Sequence, residues 1–374
     1  MGSTELSRSV RLGAAATGGL ALPDAQPSPS QLYAPRGVYL DERRLIAVDS
    51  GNHRVMIWHG APSHDGAPAE VVLGQPSAYS EGPRAGGRGA ENGFHLPTAA
   101  AVHDDRLFVA DAWHHRILVW NEVPTVSDTP PDWALGQDDL ADVEPNRGAG
   151  PSRAGLYWPY GFGYLGGVFY VADTGNRRVL AWHGLPTRDR PADFILGQPA
   201  DTAGEENRGG AAAADSFRWP HAFAACGDTL FVADAGNHRL LGWSPPPNGD
   251  RPADVVVGQS DFTTAREFPY APQSARSLRF PYGITSDGTL LAVADTANNR
   301  VLLFHDSPRG AGGAADAVLA QPDFAANGEN RWQAVEDDSL CWPYGLWLHG
   351  SRLAVADSGN NRVLLWDLSR AAVD

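Results

Sequence analysis

One short phrase recurs six times along this chain. It reads IAVDSGNHRVMIW around Asp49, FVADAWHHRILVW around Asp111, YVADTGNRRVLAW around Asp173, FVADAGNHRLLGW around Asp234, AVADTANNRVLLF around Asp295 and AVADSGNNRVLLW around Asp357. Successive aspartates lie 62, 62, 61, 61 and 62 residues apart. A fixed period of this size is the mark of a repeat architecture in which each unit buries its apolar face against its neighbours. Six units fill residues 33–369 of the 374, so no second domain fits, and residues 1–32 are left as a leading segment.

The third unit shows how a repeat is built. Residues 158–164 open it with Trp-Pro-Tyr-Gly, and proline is tolerated at the first position of a strand. Residues 168–172, VFYVA, form a β-branched and aromatic run. Asp173 to Asn176 is a turn, because Asp bonds its own backbone and Gly and Asn accept positive φ. Residues 178–182 and 194–196 supply two further strands. Four short antiparallel strands per unit and no helical period predict an all-β ring, a six-bladed β-propeller. The aromatic ending each third strand (Trp58, Trp120, Trp182, Trp243, Phe304, Trp366) reads as packing between blades.

The ring has to close. Five units carry a fourth strand ending in Gln, at Gln75, Gln137, Gln198, Gln259 and Gln321; the sixth stops after its third strand. The missing strand is expected from the N-terminal segment, at roughly residues 9–23, where residues 19–24 (GLALPD) are similar to residues 317–323 (AVLAQPD).

Charge and composition narrow the chemistry. The net charge of −15 disfavours a phosphate backbone as partner, and there is no basic run. All 29 basic residues are Arg; without Lys, Schiff-base chemistry and a lysine general base are excluded. Arg in place of Lys with abundant Gly and Ala points to a GC-rich genome. No run approaches the roughly 18 apolar residues of a spanning helix, so no membrane is expected. Two cysteines at non-equivalent positions, Cys226 and Cys341, predict neither a disulfide nor a metal motif and fit the cytoplasm. The alternative is export, on a weakly signal-like segment at residues 7–26.

The Pro-x-Gly opening and the VAD-x-x-N-x-R-V turn resemble the NHL-repeat family, and the LGQP strand ends with the following PNRG-like stretches resemble a bacterial subgroup of it. The resemblance covers almost the whole chain and implies the six-bladed fold. The family includes ubiquitin-pathway interaction domains, RNA-binding domains, extracellular modules and a zinc-dependent amidating lyase, so it leaves function open. The second unit departs from the pattern, with Trp113-His114 in its turn and Thr98 after its opening Pro.

Propeller geometry places the VAD turns, the starts of the innermost strands and the long connections between blades on one face, the top. The residue after each opening Pro then rings the axial mouth: Arg36, Thr98, Tyr160, His221, Tyr282 and Tyr344. Arg can hold a carboxylate in two bonds; Tyr and His can move protons. His53, His115 and His238 recur in the turn and read as structural. His95, His114 and His221 are not explained by the repeat; together they are the candidate ligands of a zinc or copper ion, although no HxH or HxxxH spacing supports one. Two functions are expected. One is a scaffold binding a small-molecule ligand or a protein segment at the top face. The other is a lyase- or hydrolase-type enzyme with Arg36, Tyr160, His221, Tyr282 and Tyr344 as its site.

Overall fold

The computed structural model describes residues 7–15, 26–267 and 272–368. They form six blades of four antiparallel strands each around one axis, as the repeat predicts. In blade three the strands run from the axis outward as Pro159–Leu165, Val168–Asp173, Arg178–His183 and Phe194–Leu196. The VAD turn is one 3-10 turn, Thr174–Asn176 in this blade, followed by a residue in the left-handed region. No helix among the described residues is long and apolar enough to cross a membrane.

Blade six contains Pro343–His349, Arg352–Asp357 and Arg362–Asp367, and its outer strand is Ser7–Gly13 from the other end of the chain. Closure by the N-terminal segment is therefore correct, but its strand starts earlier than residue 9. Residues 19–24 lie outside the described residues. The register shows the reason: Leu12 pairs with Val363 as Leu73 pairs with Val55 in blade one, so VRLG at residues 10–13 repeats VVLG at 71–74. Gly13 has φ +91°, like Gly74 at +82°, and a Cβ on it would stand 2.5 Å from the Asn361 carbonyl oxygen. Val10 and Leu12 are buried in the core shared by blades six and one. Arg11 pairs with Asp65 at 3.2 Å on the other side of the strand.

The repeated polar residues build the scaffold. In every blade the VAD aspartate and the arginine five residues on are buried together, as Asp173 and Arg178 are at 2.8 Å. Arg178 also donates to the carbonyls of Asp201 and Ser152, at 2.6 Å each, so one guanidinium ties two interblade connections to one turn. The strand-ending aromatics are buried between blades, and Trp182 Nε1 donates to the Arg190 carbonyl at 3.0 Å.

A second set of bonds joins five of the six turns to the next blade. In these the left-handed residue of the turn accepts the backbone N–H of the residue preceding the next opening Pro; in blade three that residue is Arg177, which donates to carbonyls of its own turn instead. His53 Nδ1 accepts from Leu96 at 2.9 Å, His115 Nδ1 from Trp158 at 3.1 Å and His238 Nδ1 from Phe280 at 3.3 Å. In blades five and six Asn299 and Asn361 do the same with Oδ1, at 2.8 Å each. The recurring histidines are thus structural, as expected, and each must be neutral at Nδ1 to accept. Burial lowers all three pKa values to about 4.

A candidate ligand site at the axial mouth

The Pro-x-Gly opening has a packing reason. The small residue after each mouth residue lets neighbouring innermost strands approach. A Cβ on Gly161 would stand 2.2 Å from the His221 carbonyl oxygen, and one on Gly283 would stand 2.2 Å from that of Tyr344. In blades three to six the pairing with the second strand also slips just after the opening Pro, between Pro159 and Phe162 in blade three. Such an irregularity re-aims a side chain. Tyr160, His221, Tyr282 and Tyr344 occupy those irregular stretches.

All six residues expected at the mouth line one axial cavity of about 80 Å³. Arg36 lies over the Tyr344 ring, 5.3 Å from its centroid. Tyr344 stacks on Tyr282 at 4.8 Å and 13°, and Tyr282 on Tyr160 at 5.9 Å and 22°. His221 wedges between them, 4.0 Å from Tyr160 and 4.6 Å from Tyr282. Thr98 Oγ1 donates to the Tyr160 carbonyl at 2.6 Å, so this residue serves the scaffold. The cavity floor is apolar, with Phe162, Phe223, Ile284, Leu346 and Trp347 on its walls.

The electrostatics are those of a neutral aromatic ring holding one cation. His221 is buried and its Nδ1 donates to the Trp219 carbonyl at 2.8 Å, which leaves the lone pair on Nε2. Burial pushes its pKa down to about 3 against that bond. Burial raises the Tyr282 phenol to about 12 and the Tyr344 phenol above its ordinary value. Burial likewise holds Tyr160 well above 10, opposed by the nearby Arg36 charge. The Tyr160 hydroxyl is buried, and its hydrogen-bonding neighbour is the Arg36 guanidinium. No carboxylate lines the cavity, and among the described residues Arg36 makes no ion pair.

The three metal candidates are not gathered at one point. His221 is in the axial cavity, while His95 and His114 pack 5.5 Å apart beside the turn of blade two. His114 replaces the turn asparagine of the other blades: its Nδ1 donates to Asp111 at 2.8 Å, and Nε2 is buried without a partner. Among the described residues, no group of three His, Cys, Asp or Glu is arranged for a metal ion.

One tier of the site was not singled out from the sequence. The residue just before each opening Pro forms a rim, and in blades three to six it is Trp158, Trp219, Phe280 and Trp342. Trp158 touches Tyr160 and Phe280 touches Tyr282, both at 6.3 Å, and Trp219 stacks on Phe280 at 6.1 Å and 21°. Blades one and two carry Ala34 and Leu96 there. The signal was present as the repeated aromatic–Pro pair.

No family model matches the chain. It is 24% identical over 371 residues to NHL repeat-containing protein 2 of Bos taurus, covering 92% of this chain and 48% of that one, so the chain spans about half the length of that relative. Among solved structures, the WD40 β-propeller domain of Doa1 superposes with a TM-score of 0.50 at 11% identity, over 98% of this chain and 99% of that one. Virginiamycin B lyase from Staphylococcus aureus gives 0.49 at 11%, over 91% and 97%. At such identities the likeness speaks for the fold alone. Six VAD-type turns on a ring of six blades, together with the match to the bovine protein, make this chain a six-bladed β-propeller similar to the NHL-repeat proteins.

Proposed function

We propose that the chain is a binding scaffold whose axial mouth receives a small ligand or the end of a peptide segment. The observation that carries this reading is the convergence of six blades on one cavity that holds a cation without an acidic partner beside a buried hydroxyl. Polar groups whose bonding is incomplete cost stability, and a site that keeps them gains when a ligand satisfies them. The lyase- or hydrolase-type alternative needs a group that exchanges protons near neutral pH. Burial moves His221 below that range and the three tyrosines above it, which favours binding over proton transfer.

The test is a fragment screen read by protein-detected NMR or crystal soaking. Fragments should occupy the axial cavity, and Tyr344→Ala should abolish that occupancy while leaving the melting temperature within a few degrees. Occupancy only at other surfaces, or a mouth that stays empty across the screen, would remove the proposal. Metal analysis of the protein as purified serves as a parallel check: stoichiometric zinc or copper would revive the metal-dependent alternative.

A further inference from the structure

The mouth is lopsided in a way that names a ligand class. This inference rests on the axial mouth being the binding site. Its aromatic surface lies on blades three to six, in two tiers. The inner tier is the nearly parallel series Tyr160, Tyr282 and Tyr344, and the rim above it includes Trp158 and Phe280 in contact with that series. Before the opening Pro, blades one and two carry Ala34 and Leu96 instead of an aromatic, although Trp113 from the turn of blade two packs on Trp158 at 6.1 Å; blade one supplies the single cation of the mouth, Arg36. Two other arginines near the rim are already neutralised: Arg218 pairs with Glu206 at 3.0 Å and Arg279 with Glu267 at 2.7 Å.

We propose that the mouth binds a monoanionic carboxylate carried on an aromatic body. One uncompensated charge in a cavity without acids suits one negative charge. The planar guanidinium matches a carboxylate in two parallel bonds. The Tyr160 hydroxyl, protonated and an acceptor towards Arg36, keeps its own proton for a donor bond beside that guanidinium. The aromatic rim above the phenol series, where Trp342 is 37% exposed, gives an aromatic body a surface to pack on, and aromatic pairs contribute beyond their buried area. The cavity of about 80 Å³ has room for the carboxylate and the atoms next to it, with the ring held at the rim.

The experiment uses the full chain, isothermal titration calorimetry and ligand-observed NMR. The probes are phenylacetate, phenylacetamide, acetate, and the tripeptide Ala-Ala-Phe with a free or an amidated C-terminus. Phenylacetate should bind saturably, at least tenfold more tightly than phenylacetamide or acetate. Arg36→Gln should weaken phenylacetate at least tenfold, leave phenylacetamide unchanged and leave the melting temperature in place. Should the free tripeptide bind more tightly than phenylacetate, and the amidated one not, the carboxylate belongs to a chain end; the reverse order assigns it to a small acid. Equal binding of phenylacetate and phenylacetamide at the mouth overturns the carboxylate while the mouth stands as a site. Carboxylate binding that survives Arg36→Gln unchanged overturns the proposal as well. No binding of any probe by the wild type overturns it too, and the fragment screen then decides separately whether the mouth binds anything.

Discussion

The imidazoles that latch three of the six turns to the next blade make the ring sensitive to acid by a calculable amount. His53, His115 and His238 accept a backbone N–H on Nδ1, and the accepting nitrogen cannot carry a proton. Their folded pKa values of about 4 lie below the ordinary value of 6.5. A depressed pKa means that the unfolded chain binds the proton first. The stabilisation is therefore complete above pH 6.5 and is lost as the pH falls towards 4. At pH 5 the ceiling is about 2 kcal/mol for each imidazole; all three keep some contact with solvent, and screening reduces this to about 1 kcal/mol each. Asn299 and Asn361 fill the same role with an oxygen that does not titrate. The triple variant His53→Asn, His115→Asn, His238→Asn should keep the latches and lose their share of acid sensitivity. Denaturant midpoints at pH 7.5 and pH 5, read by tryptophan fluorescence, measure the difference. The wild type should lose about 3 kcal/mol more than the variant over that interval. Equal losses would refute the reasoning, and a variant that fails at pH 7.5 would show that asparagine does not replace the latch.

Three further perturbations test the scaffold. Leu12→Ala in the closing strand removes a fully buried side chain and should cost about 2–5 kcal/mol, whereas Arg43→Ala, from an exposed pair with Asp105, should cost under about 1 kcal/mol; similar denaturant midpoints for the two would remove the closing role of that strand. Arg178→Met leaves the Asp173 carboxylate buried without its partner and should destabilise by about 3–5 kcal/mol, so a melting temperature near that of the wild type would contradict the structural role of the pair. Gly283→Ala drives a methyl group against the Tyr344 carbonyl oxygen and should cost about 1–3 kcal/mol while weakening any ligand held at the mouth; unchanged thermal unfolding would argue against close packing of the innermost strands.

The period of the VAD turns sufficed for the blade count, the strand order and the six residues at the axis, because a repeat position maps onto one place in every blade. Positions that break the pattern were less legible. The outer strand of blade six was expected near residues 9–23 because GLALPD looks like a strand end, yet VRLG, which keeps the glycine at positive φ, is the segment that pairs. The rim aromatics were hidden by the attention given to the residue after Pro rather than before it. The strand Ala311–Gly313, which adds to the outer strand Val255–Val257 of blade four in parallel, has no counterpart in the repeat; it comes from a loop of the neighbouring blade, and no local pattern announces it. The direction of the pKa shifts was equally out of reach, since burial of His221 depends on how three other blades close around it.

Pairing Ser7–Gly13 with Arg362–Asp367 also imposes an order on synthesis. Ser7–Gly13 is made five blades before its partner strand Arg362–Asp367. Until then Val10 and Leu12 have no cover, and the open edge of the sixth sheet faces whatever else the cell presents. While the intervening blades are being made the ring stays an unclosed arc, and it can close only once Arg362–Asp367 has emerged.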